Sequence, residues 1–337
     1  MKINYKRRWD QIASNLDDKG AFIASLPGNT RYLGNSESPP GSPPGSTMNF
    51  VIIQKNEEPI AITSSLEEHR CREEASIKDI KCWTIYPDIK SEGKTALDVL
   101  KKTLIENKID NIYSDTKLRL GRSIKSTLSN YVTEMRGIKT EDELERIKKA
   151  VKQSDAGQEF AKNLVECGEK LTEKEVRAEI DYFMARKGIQ ENSFSTIIAS
   201  GPNSAHSHHS NTDRKLKKGD SVICDFGVFW DGYCSDITRT YFVGGETSEK
   251  MKEIYNIVLD ANKRSISALT EGKSGHLVDK AGRDYIRKKG YGENFVHGTG
   301  HGFGLEIHEF PSITYKSKVI AKDSMAVTIE PGIYVPG

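Results

Sequence analysis

Over the first ~135 positions, apolar residues come in short runs separated by polar punctuation, a pattern that predicts alternating strands and helices. Ala21–Ala24 (AFIA) reads as a short buried strand. Phe50–Ile53 and Ile60–Thr63 flank the polar segment Lys55-Asn56-Glu57-Glu58-Pro59 and read as a hairpin. Leu66–Ser76 and Lys94–Lys108 read as helices. In the second, Leu97, Val99, Leu100, Leu104 and Ile105 recur at near-helical spacing. Together these elements predict a mixed α/β unit. Residues 35–47 (NSESPPGSPPGST) hold four of the eleven prolines, which excludes a helix or central strand. They read as an exposed loop within the first domain.

A different pattern begins at Thr140. Thr140 and Glu143 form an S/T-x-x-E capping box, and Leu144, Ile147, Val151, Phe160 and Leu164 carry a helical apolar stripe to Gly168. Thr172 and Glu175 repeat the box for a second helix ending near Gly188. The predicted boundary falls at about residue 138 and gives domains 1–137 and 138–337, an α/β (α+β) chain without repeats of fixed period. Further on, Val222, Cys224 and Phe226 alternate with Ile223, Asp225 and Gly227 at strand period, and Asp231-Gly232 is a hairpin turn signal. Folding the ribbon there brings Asp225 and Asp236 within a residue or two of register.

Composition narrows the class. The chain has 337 residues, 36% hydrophobic and 29% charged, and no apolar run long enough to span a bilayer. Lys plus Arg is 50 and Asp plus Glu is 48, a net charge of +2 that gives no footprint for nucleic acid or an anionic membrane. The five cysteines are scattered and lack a CxxC pair, which argues against a disulfide framework and a thiolate zinc site. The basic N-terminus lacks a following apolar run and is not a signal peptide. A soluble cytoplasmic protein is expected.

The candidate chemistry starts with histidine. Six of the eight histidines lie in two clusters, 206–209 and 297–308. Asp225 and Asp236 sit inside apolar strands, where two facing carboxylates repel unless a cation lies between them. In HGTGHGFGLEIHE (297–309), glycines at 298, 300, 302 and 304 forbid a stable helix. An extended chain there puts His297 and His301 on one face and His308 on the other, unless the glycines supply a bend. Near the C-terminus, Glu330 follows an apolar stretch and precedes the Pro331-Gly332 turn. Two Asp, one His and one Glu make a set of hard oxygen ligands with one imidazole, which suits Mn, Co, Zn or Fe(II) better than a structural zinc site. A carboxylate-rich set also matches two-metal hydrolases.

GPNSAHSHH, DFGVFWDGYCSDITRT, HGTGHGFGLEIHE and TIEPG together resemble the metallopeptidase family of prolidase (Xaa-Pro dipeptidase), aminopeptidase P and methionine aminopeptidase, whose catalytic domain is the pita-bread fold. The first domain is similar to the N-terminal domain shared by prolidase, aminopeptidase P and creatinase, with LPGNTRYL as its Asn-x-x-Tyr segment. The resemblance implies that Asp225, Asp236, His301 and Glu330 are metal ligands, Asp236 bridging and Glu330 also the general base. It implies that His208 stabilises the oxyanion and that His297 and His308 bind substrate, with Tyr334 and Arg239 as orienting groups. The implied cofactors are two divalent metal ions (Mn, Co or Zn) with a bridging water as nucleophile. The implied partners are a proline-containing peptide and a second copy in a homodimer.

The resemblance also implies a fifth ligand, a second Glu in a strand beyond TIEPG. No Glu lies between Glu330 and Gly337, and the expectation is that the protein continues past that point. The two-domain length disfavours methionine aminopeptidase, and the four ligands argue against creatinase, which lacks the metal cluster. Hydrolysis of the bond before proline, by an Xaa-Pro aminopeptidase or dipeptidase, is therefore expected. The alternative is a non-catalytic relative that binds peptides or proteins.

Overall fold

The computed structural model describes residues 3–34, 48–121, 124–168 and 170–336. The Pro/Gly/Ser-rich segment 35–47, expected as an exposed loop, lies outside the described residues. The chain divides into two compact units, Met1–Arg136 and Gly137–Gly337.

The first unit runs α1 (Tyr5–Ala13), β1 (Gly20–Ala24), α2 (Pro27–Gly34), β2 (Phe50–Gln54), β3 (Ile60–Ser64), α3 (Glu68–Glu74), β4 (Asp79–Trp83), α4 (Ala96–Glu106), β5 (Asn111–Ser114), β6 (Lys125–Leu128) and α5 (Tyr131–Gly137). Among the described residues its strands form one sheet in the order β4-β3-β2-β1-β5-β6. The polar segment 55–59 closes an antiparallel β2–β3 hairpin, as its pattern predicts. The AFIA run lies at the sheet centre, paired antiparallel to β2 and parallel to β5, and is fully buried. A strand covered on both faces reads as a continuous apolar run, which is why no alternation marks it. Val99, Leu100 and Leu104 of α4 join Ile23, Ile52, Ile62 and Ile112 in the core. The helix expected from Leu66 starts two residues later, because Leu66 is exposed and contributes no apolar anchor.

The second unit runs α6 (Glu141–Cys167), α7 (Glu173–Arg186), β7 (Glu191–Asn192), β8 (Ile197–Ser200), β9 (Ser221–Phe226), β10 (Val228–Trp230), β11 (Tyr233–Cys234), β12 (Ile237–Phe242), α8 (Glu249–Ala268), α9 (Gly275–Lys288), β13 (Gly300–Gly302) and β14 (Glu309–Ile313). Both expected capping boxes are formed, Thr140 with Glu143 and Thr172 with Glu175. Each satisfies backbone donors that a helix start leaves unpaired. Val176, Ile180 and Met184 of α7 pack with Val222, Cys224, Phe226 and Val228 into the core.

The long ribbon turns at Asp231 (φ 50°) and Gly232 (φ 80°), both left-handed as a type I′ turn requires. Trp230 pairs with Tyr233, Phe226 with Ile237, and Asp225 with Thr238. The register is therefore unbroken from the turn through to β9 and β12. Between these pairs the two chains approach closely: a Cβ on Gly227 would lie 1.8 Å from the Ser235 carbonyl oxygen. Gln158 of α6 is buried behind the ribbon and donates to the carbonyls of Cys224 (3.1 Å) and Ile237 (2.7 Å), one on each strand.

Gly227→Ala is expected to destabilise the second unit by about 1–3 kcal/mol, the usual cost of overpacking a tight site. Calorimetry should show this as a fall in Tm of about 2–4 °C per kcal/mol lost.

Candidate metal centre

Asp225 and Asp236 stand on one face of the ribbon. Asp225 lies opposite Thr238, and Asp236 is two residues before Thr238, so the carboxylates are diagonal neighbours. His301 comes from β13, which pairs antiparallel with β14 through an irregularity between His301 and Gly302. The segment 328–330 runs beside β13: Thr328 N–H donates to the His301 carbonyl (2.8 Å) and Glu330 N–H to the Thr299 carbonyl (2.7 Å). The approach depends on Gly300, where a Cβ would lie 2.0 Å from the Thr328 carbonyl oxygen.

These elements bring Asp236, His301 and Glu330 together with one ligand atom from each, all within 4.8 Å of one another. His301 Nε2 is 3.2 Å from Glu330 Oε1 and 3.4 Å from Asp236 Oδ2. The other ring nitrogen, Nδ1, is 3.0 Å from the Gly302 carbonyl. A carbonyl only accepts, so Nδ1 carries a proton and donates, which leaves Nε2 to face the two carboxylates, as a lone pair when a cation is bound and as an N–H donor to them otherwise. Thr328 Oγ1 donates to Glu330 Oε1 at 2.6 Å and orients that carboxylate.

The electrostatics follow from this crowding. Burial pushes the Asp225 carboxyl up to about 6, with the Glu330 charge adding and a Thr238 hydrogen bond opposing. Burial, Glu330 and Asp225 push Asp236 up to about 7. For His301, burial disfavours the cation, but its hydrogen bonds and the charges of Glu330 and Asp236 outweigh this and raise its pKa. Asp225 Oδ1 is buried with no hydrogen-bond partner. A buried carboxylate oxygen without a donor is costly. Asp236, His301 and Glu330 offer three converging ligand atoms, and Asp225 stands outside that group but within electrostatic reach of Glu330 and His301; such a set fits a divalent cation.

The flanking histidines are distributed around the cluster. The chain bends through 304–308 and carries His308 to His301, with ring centroids 4.4 Å apart. The bend left open by the glycine pattern is therefore present. Burial and then His301 lower the His308 pKa. His297 Nδ1 donates to the Gly298 carbonyl at 2.7 Å, so Nε2 accepts from the Tyr334 hydroxyl at 3.0 Å. Burial, with Glu330 and Asp225, pushes that hydroxyl up to about 12. His208 is exposed, within electrostatic reach of Asp225 and His308. Arg239 stands apart. It is exposed, pairs with Cys224 one position off the Asp225–Thr238 pair, and so points to the other face.

Sequence reasoning missed the groups that hold these side chains. Thr328 carries the period-2 signal, two residues before Glu330. Asp279 and Arg283 carry an i,i+4 signal on α9. The buried Asp279 accepts from Thr299 Oγ1 (2.9 Å) and from Arg283 (2.7 and 2.8 Å), and Arg283 also donates to the His297 carbonyl (2.6 Å). Together they clamp the segment presenting His297 and His301.

Comparison with known proteins gives a consistent result. Residues 145–337 match metallopeptidase family M24. The chain is 34% identical to an Xaa-Pro dipeptidase of Pyrococcus furiosus, covering 98% of this chain and 91% of that protein. The structure of an Xaa-Pro dipeptidase from Bacillus anthracis superposes with a TM-score of 0.85 at 33% identity, covering 99% of this chain and 92% of that one. That of an X-Pro aminopeptidase from Thermotoga maritima gives 0.79 at 30% identity, covering 98% and 91%.

The raised carboxyls imply a pH dependence. A folded-state pKa above the unfolded value of about 4 means that folding takes up protons between the two values, so stability is present on the acid side and falls as pH rises through about 6–7. Chelator-treated protein is expected to lose Tm from pH 5 to pH 8. Asp236→Asn, which removes one of the crowded charges, should flatten that loss and raise Tm at pH 8.

Proposed function

The chain belongs to metallopeptidase family M24, and from that premise we propose that it cleaves the peptide bond before proline with a pair of divalent cations. It is a metallopeptidase of the prolidase and Xaa-Pro aminopeptidase type, with the pita-bread fold. No described helix is long and apolar enough to cross a membrane.

One observation carries the reading: Asp236, His301 and Glu330 converge on one point, with the buried Asp225 on the same ribbon face and within electrostatic reach of Glu330 and His301. In the proposal these four residues are the ligands visible in this chain. When bound, the cations supply Lewis acidity and make hydroxide available near neutral pH. Glu330 takes up the proton of the attacking water, with Thr328 Oγ1 fixing its carboxylate by the 2.6 Å hydrogen bond. His208 stands at the exposed margin, free of the ligand set, and donates to the carbonyl oxygen as charge develops there. His308 faces the same space beside His301, and its lowered pKa keeps the ring neutral at physiological pH. A neutral ring there binds the substrate carbonyl without repelling the cations. His297 and Tyr334 orient each other and close the other side of the site. We take the dipeptidase arm, because the Pyrococcus furiosus relative carries that name and the Xaa-Pro dipeptidase structure superposes better than the X-Pro aminopeptidase one, with a TM-score of 0.85 against 0.79.

Two outcomes are expected. Chelator-treated protein should be inactive toward Xaa-Pro substrates and regain activity with Mn, Co or Zn, cleaving Xaa-Pro dipeptides faster than longer Xaa-Pro peptides. Faster cleavage of the longer peptides would overturn the dipeptidase arm, and turnover without metal would overturn the proposal. His208→Ala should keep its metal content and lose about 10²–10³-fold in kcat, the cost of one oxyanion donor. Loss of metal in that variant would make His208 a ligand instead.

A further inference from the structure

Glu173 is the first residue of α7 and is fully buried. Six donors surround its carboxylate. Oε1 accepts from Ser200 N–H (2.8 Å), Ser200 Oγ (2.7 Å) and Asn203 Nδ2 (2.9 Å). Oε2 accepts from His209 Nε2 (2.7 Å), Thr212 N–H (2.9 Å) and Thr212 Oγ1 (2.7 Å). Burial pushes the carboxyl up, but the donors, His209 first, outweigh it and hold the group near about 2.

The donors share one segment. Ser200 and Asn203 precede His208, while His209 and Thr212 follow it, so the carboxylate ties both sides of the segment 200–212 to one point. The His208 side chain is itself exposed, and its aim depends on where the backbone holds it. The proposed metal ligands come from the Asp225–Asp236 ribbon, β13 and the 328–330 segment, none of which donates to Glu173 in these six bonds. We propose that Glu173 is a positioning residue for the reaction, fixing the segment 200–212 so that His208 meets the substrate carbonyl. This rests on the role assigned to His208 above.

The isosteric variant is informative because every surrounding group is a donor. Glu173→Gln keeps the shape but turns an NH2 toward three donors, which breaks about half of the network. The test is a double-mutant cycle of metal-loaded wild type, His208→Ala, Glu173→Gln and the double variant, with metal content and hydrogen exchange followed in each. Glu173→Gln is expected to lose about 10²-fold in kcat, the cost of misplacing a catalytic group. KM and metal content should stay near wild type, and exchange should rise in 200–212 but not in the 221–242 ribbon. The double variant should be no slower than the slower single variant, because both changes remove the same contribution. Fully additive losses, or lost metal, would overturn the role of Glu173 while leaving that of His208 standing. A His208→Ala enzyme with wild-type kcat would overturn the role of His208, and this proposal with it. If Glu173→Gln fails to fold, His209 carries the same cycle: His209→Gln keeps a donor toward the carboxylate and should resemble wild type, while His209→Leu should behave as Glu173→Gln. Equal activity in the two His209 variants would overturn the proposal.

Discussion

The structure turns on one unfavourable convergence. Asp236, His301 and Glu330 aim ligand atoms at a common point, with His301 Nε2 only 3.2 and 3.4 Å from two carboxylate oxygens. Asp225 adds a buried oxygen that has no donor. Burial of the two aspartates weakens the screening of like charges and by itself favours their protonated forms. Without a cation the crowding is relieved only by protonating the acids or His301, whereas a divalent cation would answer these lone pairs at once.

The other buried acids sharpen this contrast. Glu173 has six donors, Asp279 has Thr299 and Arg283, and Glu309 is paired with the buried Lys139 at 3.1 Å. Satisfied charges of this kind hold backbone in place. Glu173 ties down the His208 segment, Asp279 with Arg283 ties down the His297 segment, and Lys139 with Glu309 ties down the residue after His308. The compensated charges thus hold the segments that carry the flanking histidines. Gly227 and Gly300 serve the same end by letting backbones meet where no Cβ fits.

Much of this was legible in the sequence. Both capping boxes, the hairpin after β2 and the Asp231-Gly232 turn are local signals, each set by a few neighbouring residues. The aspartate pair followed from strand period and turn position, because an unbroken register converts sequence spacing directly into distance. The burial of Glu173 was not legible. Its donors lie 27–39 residues away, and a Glu in the first turn of a helix usually faces water. Gln158 was missed for the same reason: nothing local distinguishes a helix glutamine that reaches two carbonyls from one that is solvated. Arg239 looked like a site residue from its place in the motif, but strand period turns it to the other face. Long-range pairing decides these positions, and a single sequence does not display it.

The central claim is that the convergence is a cation site, and diffraction from crystals soaked in Mn²⁺ tests it most directly. Anomalous difference density recorded at the manganese edge should peak among Asp236 Oδ2, His301 Nε2 and Glu330 Oε1, within bonding reach of the otherwise unpaired Asp225 Oδ1. Manganese bound elsewhere in an active crystal, with that point left empty, would contradict the account.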